Sequence, residues 1–146
     1  MCGIVGVLSE HQAAPILVDA LRKLEYRGYD SAGIAVINNG TIQSKRALGK
    51  LIELNDILVY NPLIGKSGIG HTRWATHGAP SVKNAHPHST GKVSIVHNGI
   101  IENYKELKAE LCDIGYEFKS ETDTETVVAL CSHYLDSGYS NKEAAV

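Results

Sequence analysis

The sequence predicts an α+β domain, built from short strands and amphipathic helices in succession. Three observations carry this. Cys2–Leu8 is an apolar run with Val and Ile, punctuated by Gly3 and Gly6, which reads as a buried strand. Asn38-Asn39-Gly40 lies between two strand-like runs, a hairpin signal. Ile16, Leu17, Ala20, Leu21 and Leu24 recur at helical spacing on one face.

Taken in order, Ser9–Gln12 is a polar loop and Pro15 suits a first helical turn. Gly28 ends that helical region. Ser31–Ile37 and Thr41–Arg46 form the hairpin, and Leu48–Val59 reads as a short helix broken by Asn61-Pro62. Ser67–Trp74 is a further strand, followed by an irregular stretch, Ala75–Gly91, of the kind that often carries function. Lys92–His97 is a strand. Asn98-Gly99 would ordinarily continue as a hairpin, but Ile100, Tyr104, Leu107, Leu111 and Ile114 are helically spaced, so the reading is strand, tight turn, helix. Tyr116–Lys119 is a short strand. Thr122 and Asp123 precede a helix with Val127, Val128, Leu130, Cys131, Tyr134 and Leu135 inward. Ser140-x-x-Glu143 is a capping box that opens another helix just before the sequence stops, as expected of a cut made inside a longer protein.

The length, 146 residues, is that of one domain with room for a sizeable core. A formal net charge of −2 leaves no basic footprint for nucleic acid. Three widely spaced cysteines without a CxxC argue against a disulfide framework and fit a reducing cytoplasm. The start lacks a basic region and its apolar run is cut by Glu10, His11 and Gln12, so no signal peptide is read. No stretch is long enough to span a membrane.

The chemistry concentrates in four places: Cys2, Tyr26–Gly33, His71–Gly78, and His97–Asn103 with Ser120–Glu125 downstream. Removal of Met1 would make Cys2 the N-terminal residue, carrying a thiol and a free α-amine together. An α-amine titrates near ~7.8, so part of it is neutral near physiological pH and can take the thiol proton. The alternative is a small apolar residue opening a strand. Arg73, at a strand end, offers the planar fork that a carboxylate prefers; otherwise it is a surface arginine in an ion pair. Asp123 could meet an ammonium group, although an aspartate just before a helix is usually an N-cap. Asn98 and Gly99 offer a side-chain and a backbone N–H to a developing oxyanion, or simply form a turn. Trp74 is either a shield over this site or core. Among the histidines, His71, His77, His86, His88 and His97 match no HExxH or finger spacing, so no metal is expected; His11 and His133 read as ordinary surface or helix residues.

These constellations, in this order, resemble the glutaminase domain of the N-terminal-nucleophile (class II) glutamine amidotransferases. The resemblance runs from Cys2 to the last residue. Tyr-Arg-Gly-Tyr-Asp-Ser-Ala-Gly and His-Thr-Arg-Trp-Ala-Thr-His-Gly point to the branch that supplies ammonia for making glucosamine 6-phosphate from fructose 6-phosphate. The resemblance implies a four-layer αββα sandwich of antiparallel sheets, incomplete at the C-terminus, with residues 2–146 a partial glutaminase domain and the sugar-isomerase domains outside it. It implies Cys2 as the nucleophile that forms a thioester with L-glutamine, and Asn98 and Gly99 as the oxyanion hole. Arg73 and Asp123 are implied as the substrate's carboxylate and ammonium partners. Trp74, Thr76 and His77 are implied as substrate-loop contacts, with Arg27 in support. No cofactor is implied; the partners are the sugar-isomerase domain of the same protein and, in full length, further copies of it. Two other readings stand beside this one. One is a glutaminase with an internal nucleophile, Cys112 or Cys131, although both read as core. The other is a fragment that keeps the pattern without the activity.

Overall fold

In the computed structural model, which describes residues 2–75 and 78–145, the hairpin is the central device. β2 (Ser31–Asn38) returns as β3 (Thr41–Leu48) through Asn39 and Gly40, both at positive φ. β1 (Gly3–Leu8) and β4 (Ser67–Arg73) complete a four-stranded antiparallel sheet in the order β1-β4-β2-β3. One face of this sheet is covered by α1 (Ala13–Arg22) and α2 (Leu51–Tyr60). Alternation sends Ala32, Ile34 and Val36 of β2 to that side, where they bury with Leu17 and Leu21 of α1 and Leu51 and Leu54 of α2. Glycines at Gly68 and Gly70 let the α1 leucines sit directly on β4: a Cβ at either would lie 3.0 Å from a leucine Cδ1.

The other face of the sheet meets a second layer, the two-stranded ladder of β5 (His88–Ser89) and β6 (Ser94–Ile95). The chain leading into β5 lies so close to β2 that a Cβ on Gly33 would stand 2.2 Å from the His86 carbonyl oxygen. Behind β5 and β6 lies α4 (Thr124–Asp136), which packs in turn against α3 (Tyr104–Asp113) and α5 (Asn141–Ala144). The layers are therefore helix, sheet, sheet, helix, with antiparallel pairing throughout. Among the described residues no helix is long and apolar enough to cross a membrane.

Several expectations are corrected. β1 is an edge strand: Val5 and Val7 pack towards α1, but Ile4 and Leu8 are 41% and 89% exposed, because β1 has only β4 beside it. Residue 48 ends β3 instead of opening a helix, since its backbone pairs with Ser31. Of the strand read over residues 92–97, only Ser94–Ile95 forms a ladder, because its neighbour β5 offers just two residues. Tyr116–Lys119 forms no strand. Its donors go elsewhere, Tyr116 N–H to the Leu111 carbonyl and Lys119 N–H to the Glu125 carboxylate. Ile100 and Ile114 lie outside α3 and are exposed; of α3 only Leu111 is buried, and Cys112, the next position round the helix, faces solvent. Ile16 and Tyr134 likewise sit at the exposed margins of their helices.

Between the two sheets the interior turns polar. His71, His86 and His88 are all buried; the His71 and His86 rings stack at 4.5 Å, and His88 meets His86 edge-on at 4.7 Å. Burial drives all three towards the neutral form, His71 and His88 down to about 4 and His86 to about 2. Neighbouring cationic groups, Arg73 for all three and Arg46 for His88, push the same way, while Glu125 opposes the shift at His88.

Two expectations follow for stability. Leu21→Ala, at a fully buried site, is expected to cost about 2–5 kcal/mol in urea unfolding, whereas Leu8→Ser on the exposed edge should stay within about 0.5 kcal/mol. The unfolded chain protonates its histidines near pH 6.5 while the folded one holds three of them neutral, so stability is fully present above pH 6.5 and falls as the pH drops towards 4. Urea midpoints measured from pH 7.5 to 4.5 should show this, and His88→Gln should flatten the slope by about 1.4 kcal/mol per pH unit.

Candidate active site

The site forms where the ends of β1, β2 and β4 meet. The register pairs Gly3 with Thr72 and Ser31 with Arg73, which sets Cys2 and Asp30 on either side of the Arg73–Trp74 backbone. Trp74 N–H donates to Cys2 Sγ at 3.2 Å, and the thiol lies 3.5 Å from the Trp74 carbonyl. The sulfur is therefore seated by the main chain of Trp74. The indole is 47% exposed and packs edge-on against Tyr29 at 5.5 Å, so Trp74 forms a rim above the sulfur and is not core.

Arg73 is 3% exposed. Its guanidinium lies 3.8 Å from Asp30 Oδ1, and Nη2 donates to the Gly78 carbonyl at 3.0 Å. Asp30 also accepts from Ser31 Oγ and, through Oδ2, from Ala75 N–H. One carboxylate thus fixes the arginine and the start of the loop that follows it. This role for Asp30 was missed in the sequence, although the residue stands inside the Tyr26–Gly33 motif.

Asn98 and Gly99 follow β6. Asn98 Nδ2 donates to the Cys2 carbonyl at 3.3 Å, and Asn98 Oδ1 lies 2.9 Å from His71 Nε2. Gly99 has φ of 150°, and a Cβ there would press on the His97 ring at 2.9 Å, so only glycine fits.

Asp123 occupies the position before α4, but its side chain makes no capping bond. It is 4% exposed and turns back to accept Ile101 N–H on Oδ2 at 2.7 Å. The cap read as the ordinary role of such an aspartate is therefore not the one adopted. The loop that presents Asp123 is held from beneath by Glu125, which is 5% exposed and accepts from Lys119 N–H, Ser120 N–H and Ser120 Oγ. Thr122 continues the network to His88 Nε2 at 2.8 Å, and Thr124 Oγ1 stands 3.1 Å from both His86 Nε2 and His97 Nδ1. Of the histidines weighed in the sequence as metal ligands, His71, His86 and His88 contact one another ring to ring, and these three and His97 bond to hydroxyl or amide groups.

Cys2, His71, Arg73, Trp74, Asn98, Gly99 and Asp123 all line one cleft, whose enclosed part is small, about 40 Å³. It brings together a thiol, a buried guanidinium, a buried carboxylate and amide donors. Arg27 lies in the 3₁₀ turn Glu25–Arg27, half-buried and outside the lining of this cleft. Thr76 and His77 fall outside the described residues. Cys131 borders a different, apolar cavity of about 390 Å³ between the sheets, where burial raises its thiol pKa; among the described residues Lys92 is the one charged group that lines it.

A family model described as a glutamine amidotransferase domain matches residues 60–142, more than half of the chain. The chain is 58% identical over 146 residues to a glutamine–fructose-6-phosphate aminotransferase (isomerizing) of Gluconobacter oxydans, covering 99% of this chain and 24% of that protein. A protein of the same name from Caulobacter vibrioides is 51% identical over 144 residues, with the same coverage. The chain thus spans about a quarter of the length of these relatives. Among solved structures, the glutamine phosphoribosylpyrophosphate amidotransferase of B. subtilis, complexed with ADP and GMP, shares the fold with a TM-score of 0.81 at 24% identity, over 99% of this chain and 31% of that one. A structure titled the allosteric regulatory enzyme of purine biosynthesis gives 0.84 at 25% identity, with the same coverage. By the family match and by its layered fold, the chain belongs to the glutamine amidotransferase domain family.

Proposed function

We propose that this chain is the glutaminase part of a longer enzyme that makes glucosamine 6-phosphate from fructose 6-phosphate, with Cys2 as nucleophile. The observation that carries the reading is the convergence of Cys2, Arg73, Asn98, Gly99 and Asp123 on one cleft. Identity of 51–58% to aminotransferases of that name supports the product assignment. A sugar-isomerase domain, following in the same polypeptide, would receive the ammonia in a cytoplasmic homo-oligomer.

The chemistry starts once Met1 is removed. The freed α-amine of Cys2 takes the thiol proton, and sulfur attacks the side-chain amide carbon of glutamine. Negative charge gathers on the amide oxygen, and the N–H groups of Asn98 and Gly99 face it. The tetrahedral species collapses: the C–N bond breaks, the ammonium on Cys2 returns its proton to the leaving nitrogen, and ammonia departs from a thioester. Water activated by the same amine then attacks the thioester carbonyl, the C–S bond breaks, and glutamate leaves. Substrate is held at its other end. Arg73, kept in place by Asp30 and the Gly78 carbonyl, meets the α-carboxylate. Asp123 keeps Oδ2 on Ile101 and presents Oδ1 to the α-ammonium. Thr76, His77 and the Trp74 rim complete the substrate loop, and Arg27 supports the segment beside the nucleophile.

The internal-cysteine alternative finds little support: Cys112 is exposed on α3, and Cys131 lies on the inter-sheet cavity.

Cys2→Ala is expected to abolish glutaminase activity in the full-length protein, and a glutamine-like electrophile should label Cys2 alone in peptide mapping by mass spectrometry. Retained activity, or label on Cys112 or Cys131, would refute the nucleophile assignment. Arg73→Lys keeps the charge but loses the fork, so kcat/KM for glutamine should fall on the order of 10–100-fold, chiefly through KM, in steady-state assays.

A further inference from the structure

We propose that His71 is a positioning residue for glutamine hydrolysis, holding the Asn98 side-chain amide in the one orientation that offers a donor to the oxyanion. The inference rests on the glutaminase reading above and deepens it. An asparagine amide has an accepting end and a donating end, and rotation by half a turn exchanges them. If Asn98 turned its oxygen towards the developing charge, repulsion would replace stabilisation.

The surroundings decide which way it lies. The Cys2 carbonyl oxygen carries no hydrogen, so the Asn98 atom 3.3 Å from it must be the NH₂ group. The opposite end, 2.9 Å from His71 Nε2, is then the amide oxygen, and His71 must donate to it. His71 is therefore the Nε2–H tautomer. One N–H of Asn98 is spent on the Cys2 carbonyl, and the second remains to meet substrate.

His71 is built to hold this arrangement. It lies on β4 at 1% exposure, between Ile4 and Gly33 in the sheet register. The His86 ring stacks on its face at 4.5 Å, and His86 is anchored by Thr124. The imidazole therefore has little freedom to turn, and Asn98 inherits that restriction.

The test compares the full-length enzyme with His71→Met, which is of similar length but lacks a donor, and His71→Gln, which restores one. H71M should lower kcat by on the order of 100-fold, the scale of losing one oxyanion donor, with KM for glutamine within about twofold of the parent. H71Q should recover at least about tenfold of that loss. In an Asn98→Ala background, H71M should cost less than about twofold more, because both changes remove the same interaction. Equal kcat for H71M and parent, a loss carried by KM, or losses that multiply in the double variant would overturn the positioning role. An N98A variant as active as the parent would instead sink the oxyanion assignment, which separates the two failures. Should H71M fail to fold, the parent itself decides: ¹⁵N imidazole shifts should report Nε2–H for His71, and an Nδ1–H tautomer overturns the proposal.

Discussion

The arrangement depends on β4 being paired on both sides at once. β1 and β2 are distant in sequence from β4, yet its two ladders run to the same end and stop together at Thr72 and Arg73. That shared end delivers Cys2 from one neighbour and Asp30 from the other to the Arg73–Trp74 backbone. A slip of one residue in either ladder would exchange the two faces of that strand. His71 would then point at α1, and Val5 and Val7 would leave the apolar core for the polar layer. The apolar packing of α1 and α2 on one face thus enforces the geometry of the chemistry on the other.

The second constraint is electrostatic. The space between the sheets holds an arginine, two carboxylates and three histidines with almost no water-exposed surface. Such a group of charges is tolerated only if each is paired or neutral. The arginine has Asp30 beside it, Glu125 is saturated by backbone and hydroxyl donors, and the histidines give up their charge to burial. The polar layer is costly to assemble, and its rigidity is what the proposed oxyanion site would need.

Much of this was legible in the sequence, and the reasons for the rest are physical. The hairpin could be read because Asn39 and Gly40 are turn residues whose conformation few others adopt. α1 could be read because its buried positions repeat with the helical period. Cys2, Arg73, Asn98, Gly99 and Asp123 stood out because each residue type suits one handle of glutamine, and the structure gathers them. What escaped was whatever depends on a neighbour. Whether a β-prone run becomes a ladder is decided by its partner, so residues 92–97 and 116–119 were overcalled. Asp123 reads as a cap from its own segment, and only the arrival of Ile101 turns it away. The contacts of Asp30 with Arg73 and of His71 with Asn98 join distant segments, and spacing along the chain does not show which side chains meet.

The way Cys2 is seated has a consequence for maturation. Every described contact that places this residue uses its sulfur or its carbonyl: Trp74 on one, Asn98 on the other. None of these contacts draws on its nitrogen. On the mechanism proposed above, trimming the initiator methionine would convert an amide into an amine while leaving these sulfur and carbonyl contacts as they are. In that reading, folding and activation are separable, with a single peptide cleavage arming the thiol.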